Sequence, residues 1–239
     1  MNGRNRRPSQ RGKNSGRSAG RGREGQSFGR SDLDGRDFGG REGVVGRAEW
    51  KLTEAVEGFG FDFRGKTVLD IGSSTGGFTE LALRMGARKV IAVEKGTGQM
   101  KAPLRFDARV ELHEKTDIFE VEVRNGGASG ATKVQVEIEP VEVVLADVSF
   151  VSLRPILEKA RELAVPGADF LVMLKPQFEA RSEQLVRGVV KNERMRREIM
   201  QEFERWLKVR GWVVVRKRDN ETVGRKGNRE RFYWVRVGR

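Results

Sequence analysis

Thirteen residues, Val68-Leu69-Asp70-Ile71-Gly72-Ser73-Ser74-Thr75-Gly76-Gly77-Phe78-Thr79-Glu80, constrain the chain more than any other stretch. The short apolar start reads as a buried strand and the glycines as a tight turn. Phe78, Leu81, Ala82 and Met85 then fall at helical spacing. Strand, turn and helix in that order open a mononucleotide-binding unit. Glycine lets backbone pass close to a ligand, and a helix start offers free N–H groups to an anionic group. A dinucleotide fingerprint would read G-x-G-x-x-G. Here the spacing is Gly72-x-x-x-Gly76-Gly77, which lacks the pyrophosphate cradle and speaks against a nicotinamide oxidoreductase. Asp70, two residues before the first glycine, is placed to meet a cationic ligand group such as an amine. The same residues also fit an ordinary βα turn without a ligand.

The chain of 239 residues is long enough for one sizeable domain and an appendage. It has no cysteine, which excludes disulfides, thiolate metal sites and cysteine nucleophiles. Its single histidine, His113, sits in an alternating stretch and reads as a strand residue rather than a ligand, so no metal site is expected. No apolar run approaches the roughly 20 residues of a membrane span, and no signal peptide is visible, which predicts a cytoplasmic protein without a membrane partner. The formal net charge of +13 points to a polyanionic partner, nucleic acid first. Residues 1–43 are mostly Arg, Gly and Ser, with too little apolar surface to offset the entropy of ordering. They predict a disordered tail, either an electrostatic arm for RNA or a simple solubiliser.

Residues 44–239 predict one α/β domain. A short amphipathic helix carries Ala48, Leu52, Ala55 and Val56, closed by Gly58 and Gly60. Strands are expected at Thr67 to Ile71, Lys89 to Val93 and Val110 to Leu112. Residues 124 to 140 read as an insertion, either a hairpin or a loose segment, to which no function is assigned. Val141 to Val148 is a buried strand interrupted by Asp147. A helix from Leu153 to Ala164, closed by Pro166-Gly167, leads to a strand from Phe170 to Leu174. A long helix over Asn192 to Val209 precedes two strands, Trp212 to Val215 and Phe232 to Val237, apt to pair antiparallel at an edge. The pattern predicts a Rossmann-like, mostly parallel sheet with an antiparallel C-terminal edge. Such sheets bind ligands beyond the carboxyl ends of their strands, where Asp70, Glu94, Asp117, Asp147 and Lys175 all fall. Glu94, about 20 residues past the glycine turn, is placed to accept the hydroxyls of a ribose. Asp147 and Lys175 end apolar strands that need no charge. They form either an ion pair at the sheet end or a site in which a desolvated lysine, beside a second cation, serves as a base.

Several blocks together resemble the TlyA family of FtsJ-like rRNA 2′-O-methyltransferases, whose members often carry the label hemolysin. The blocks are Lys51-Leu52, the turn from Leu69 to Thr79, Asp147-Val148-Ser149-Phe150-Val151-Ser152-Leu153, Lys175-Pro176-Gln177-Phe178-Glu179 and Gly227-Asn228-Arg229-Glu230. The resemblance spans about Val44 to Val237. It implies S-adenosylmethionine as cofactor, ribosomal RNA as substrate and a catalytic tetrad at Lys51, Asp147, Lys175 and Glu230. It further implies that Asp70 and the turn (Gly72, Ser73, Thr75, Gly76, Gly77, with Phe78) hold the methionine end of the cofactor. Glu94 would then take the ribose, Asp117 and Ile118 the adenine, and Asp147 would also face the cofactor. Two departures stand out: family members usually begin with an S4-type RNA-binding domain where this chain has its Arg-Gly segment, and Arg231 follows Glu230 where an aromatic is usual. The intact tetrad argues against a catalytically silent RNA-binding protein. The lack of a spanning or basic amphipathic helix argues against a pore-forming hemolysin.

Overall fold

In the computed structural model, residues 47–124, 136–221 and 227–238 are described. The predicted tail at 1–43, the domain boundary at residue 44 and most of the 124–140 insertion lie outside them.

Apolar residues alternate between two faces along each central strand, and each face is claimed by different helices. The elements run α1 (Arg47–Phe59), β1 (Thr67–Ile71), α2 (Gly77–Arg84), β2 (Lys89–Glu94), α3 (Ala102–Arg105), β3 (Val110–Glu114), β4 (Val121–Val123), β5 (Val136–Ile138) and β6 (Val141–Ala146). They continue as α4 (Leu153–Leu163), β7 (Ala164–Leu174), α5 (Pro176–Glu179), β8 (Leu185–Val186), β9 (Val189–Val190), α6 (Glu193–Val209), β10 (Trp212–Asp219) and β11 (Arg231–Val237). Seven strands form the main sheet in the order β10-β11-β7-β6-β1-β2-β3. The pairings β3-β2-β1-β6-β7 are parallel, while β11 runs antiparallel to both β7 and β10. This is the Rossmann-like sheet with an antiparallel C-terminal end.

On one face, Val68, Val90, Val143, Leu145 and Phe232 pack against α1 and α2 through Leu52, Val56, Phe59, Phe78 and Leu81. On the other, Leu69, Ile71, Val144, Phe170 and Tyr233 meet α4 and α6 through Ile156, Leu157, Ala160, Phe203 and Leu207. The strands are buried on both sides, so each fully covered side chain contributes about 1.5–3 kcal/mol.

Residues 125–135, where either a hairpin or a loose insertion is expected, lie outside the described residues; the strands on either side, β4 and β5, pair parallel, Val121 with Val136 and Val123 with Ile138. Two local expectations are corrected. Pro166-Gly167 does not close α4. It sits inside β7, where the register to β6 shifts between Val141 and Val143, and a bulge tolerates a residue without an N–H. Asp147 lies just past the end of β6 rather than within it.

Candidate active site

β1 is the point where the strand order reverses, with β2 on one side and β6 on the other. The crevice of an open α/β sheet opens there. Gly72 follows β1 at φ +79°, and a Cβ built on it would meet the Asp147 carbonyl oxygen at 3.4 Å. The Asp147 N–H in turn donates to the Ile71 carbonyl at 3.2 Å. The two strand ends are thus laced together, and a cleft of about 570 Å³ opens over them. Its walls include Gly72, Ser74, Glu94, Asp117, Ile118, Asp147, Ser149 and Phe150.

Each acid has a distinct setting. Glu94 closes β2, and its carboxylate accepts from Ser74 N at 2.9 Å and Gly96 N at 2.6 Å, which ties the two rim loops to one side chain. Asp117 accepts from Phe119 N at 3.2 Å and Lys95 Nζ at 2.9 Å. Burial opposes its ionisation, but those bonds outweigh it and hold its carboxyl below the usual range. Asp147 is pushed the other way. Burial raises it, the Lys175 ammonium opposes that rise, Glu230 adds to it and Lys51 subtracts.

Asp70 lies elsewhere. As the fourth residue of β1 it points to the α1/α2 face, is fully buried, and accepts from Thr79 Oγ1 at 2.6 Å. Burial above all, reinforced by the charges of Asp147 and Glu94, lifts its carboxyl to about 7. Its Oδ1 and the buried Ser73 Oγ have no hydrogen-bond partner among the described residues. Thr75, Gly76, Gly77 and Phe78 do not line the cleft either. Gly76, at φ +93°, and Gly77 shape the turn into α2, and Phe78 packs beneath it against Phe232.

The four tetrad residues resolve into two pairs. Lys175, directly after β7, places Nζ 2.7 Å from Asp147 Oδ1 in an ion pair. It donates to Ser149 Oγ at 2.7 Å. Lys51 on α1 is buried and bonds Glu230, which ends the segment before β11. Asn220 backs Glu230, donating from its backbone N–H to the Glu230 carbonyl at 3.0 Å. Glu230 therefore meets Lys51 rather than Lys175.

Sequence reasoning assigned no role to Ser149, Phe150 or Glu179, although all three lie in the quoted blocks. Phe150 is 89% exposed at the cleft mouth, at φ +66°, with its ring 5.3 Å from that of Phe178. Glu179 is buried and accepts from Leu153 N at 2.6 Å and Ser152 Oγ at 2.9 Å, so it fastens the Ser149–Ser152 loop to the segment after Lys175. Nothing in residue spacing signals that contact. His113 is a strand residue on β3, 2.8 Å from Glu111 Oε1.

A sheet with one reversed strand, with a ligand-sized cleft and acids along the rim at its switch point, is the architecture of a Rossmann-like ligand-binding domain. The chain belongs to the FtsJ-like methyltransferase family, whose sequence profile matches residues 44–237. It is 36% identical over 194 residues to the 16S/23S rRNA (cytidine-2′-O)-methyltransferase TlyA of Mycobacterium tuberculosis, covering 81% of this chain and 68% of that one. It is 35% identical over 187 residues to YqxC of Bacillus subtilis, a protein provisionally named an rRNA methyltransferase, covering 78% of this chain and 63% of that one. The chain thus spans about two thirds of the length of these relatives. A solved structure from Streptococcus thermophilus, provisionally named a hemolysin, superposes with a TM-score of 0.74 at 29% identity, covering 84% of this chain and 69% of that one.

Proposed function

We propose that this chain transfers a methyl group from S-adenosylmethionine to a ribose 2′-hydroxyl of RNA, ribosomal RNA above all, and does so in the cytoplasm. The cleft suits the cofactor. Its volume lies within the range of small-molecule sites. Glu94 faces it as a ribose acceptor and Asp117 with Ile118 as an adenine seat. The buried Ser73 Oγ, between the cleft-lining Gly72 and Ser74 and without a hydrogen-bond partner among the described residues, is a polar atom that a ligand group at the turn would satisfy. When bound, the cofactor supplies a reactive sulfonium methyl.

The protein's task is then to hold the acceptor oxygen in line and take its proton. Lys175 is the group for this, and its place is the observation that carries the reading. Its nitrogen is fixed between Asp147 and Ser149, both of which line the cleft. A lysine nitrogen accepts a proton only when neutral, so Lys175 acts in its amine form, takes the hydroxyl proton and ends the step as the ammonium. Asp147 orients the amine, and Glu230 and Lys51 add two smaller, opposing charges at Asp147. Alignment of the two reacting centres supplies roughly 7–11 kcal/mol of barrier reduction, and the base a further 10²–10⁴-fold.

The test is incubation of the purified protein with rRNA and cofactor, followed by nucleoside analysis. A 2′-O-methylated nucleoside that depends on the protein supports the reading. RNA binding with no methylated product would instead make the chain a silent RNA-binding protein.

A further inference from the structure

Beside the site, Leu185–Val186 and Val189–Val190 form a two-stranded antiparallel hairpin, with Arg187 and Gly188 as its two-residue loop. Both loop residues have positive φ, +51° and +80°. A turn of this kind favours Asn-Gly or Gly-Gly, because a side chain at the first position crowds the left-handed backbone. Arginine there breaks a local rule at a cost in stability, and such breaks cluster where function holds them.

The hairpin is nevertheless held firmly. Asn228, buried two residues before Glu230, accepts from Val190 N and donates to the Gly188 carbonyl, each at 3.0 Å. That clamp draws together the chain segments that carry three cations: Arg187 at the tip, Lys191 after β9 and Arg229 beside the clamp. All three are exposed and none forms an ion pair among the described residues. Pro176, the residue after Lys175, shares a small cavity with Val190, Glu193, Asn228 and Arg229, so the Arg229 end of the cluster adjoins the segment that carries the base. The neighbouring Arg196 is buried and already engaged by Asp219 and the Arg229 carbonyl. It serves the scaffold, whereas the other three carry no ion pair among the described residues.

We propose that this hairpin is an arm that grips the phosphate backbone of the RNA strand and so seats the target ribose against Lys175. The inference rests on the proposed RNA substrate. Guanidinium groups match phosphate oxygens in a fixed fork, and such contacts set register without reading sequence.

The test compares wild type with an Arg187→Ala/Lys191→Ala/Arg229→Ala variant in salt titrations of binding to a labelled single-stranded RNA. The log–log salt slope should shrink by roughly 2, because each lost phosphate contact on a single strand removes about 0.7. KM for rRNA should rise by more than kcat falls, with cofactor affinity unchanged. Arg187→Gly separates role from folding: it relieves the turn, so the melting temperature should hold or rise while RNA affinity still falls. Equal slopes and equal KM in wild type and the triple variant would overturn the inference. A wild type that binds RNA without methylating it would sink the proposed function and leave this arm standing.

Discussion

Lys51 and Glu230 stand 179 positions apart in sequence and meet in a buried ion pair that ties α1 to the segment leading into β11. Removing one member leaves the other buried and uncompensated, which costs about 3–5 kcal/mol. Lys51→Met should therefore lower the urea midpoint strongly, and Lys51→Met/Glu230→Leu should recover most of the loss while staying inactive. Equal stability for the wild type and Lys51→Met would show that the pair does not hold these segments together.

Asp70 makes stability depend on pH in an unusual direction. Its carboxyl is raised to about 7 in the folded chain from an ordinary value near 4. The folded state therefore favours the protonated form. The contribution is fully present below about pH 4, is lost as pH rises towards 7, and stays lost above it. Asp70→Asn keeps an acceptor for Thr79 Oγ1 and removes the titration. The melting temperature of the variant should gain on wild type between pH 5 and pH 8. A constant difference across that range would place the titration elsewhere.

Much of this is legible in the sequence alone. The β1–turn–α2 unit follows from a β-branched run, a glycine turn and a 3.6-residue period. Asp147 and Lys175 stood out because charges at the ends of apolar strands need a reason. The rest depended on long-range contacts. Asp70 was expected at the ligand, but strand alternation turns it to the α2 face, and only a known register reveals that. The pairing of Lys51 with Glu230 has no local signature. The β8–β9 hairpin did have one, Arg187-Gly188 between two β-branched or apolar pairs, yet arginine is not the residue such turns select.

Glu94 should govern cofactor affinity. Glu94→Ala removes a charged acceptor worth about 1.5–3 kcal/mol and also releases the Ser74 and Gly96 amides that shape the rim. Calorimetry should show S-adenosylmethionine binding weakened at least several-fold. Equal affinity would move the ribose seat away from Glu94.

Glu179 should rigidify the loop that carries Ser149 and Phe150. Glu179→Ala leaves the Leu153 amide without its acceptor, a loss of about 1–3 kcal/mol, whereas Glu179→Gln retains one. Amide exchange at Leu153 should accelerate in the alanine variant and stay close to wild type in the glutamine variant. Unchanged exchange in both would mean that the loop is held by other contacts.

The most direct test of the account is ribose methylation of rRNA by the Lys175→Arg variant, quantified per nucleotide beside wild type and Lys175→Ala. Arginine keeps the positive charge next to Asp147 but effectively never deprotonates. If Lys175 takes the proton from the acceptor hydroxyl, both variants should lose methylation while binding the cofactor as wild type does. An arginine variant that retains most of the turnover would contradict that role and leave Lys175 as a positioning charge.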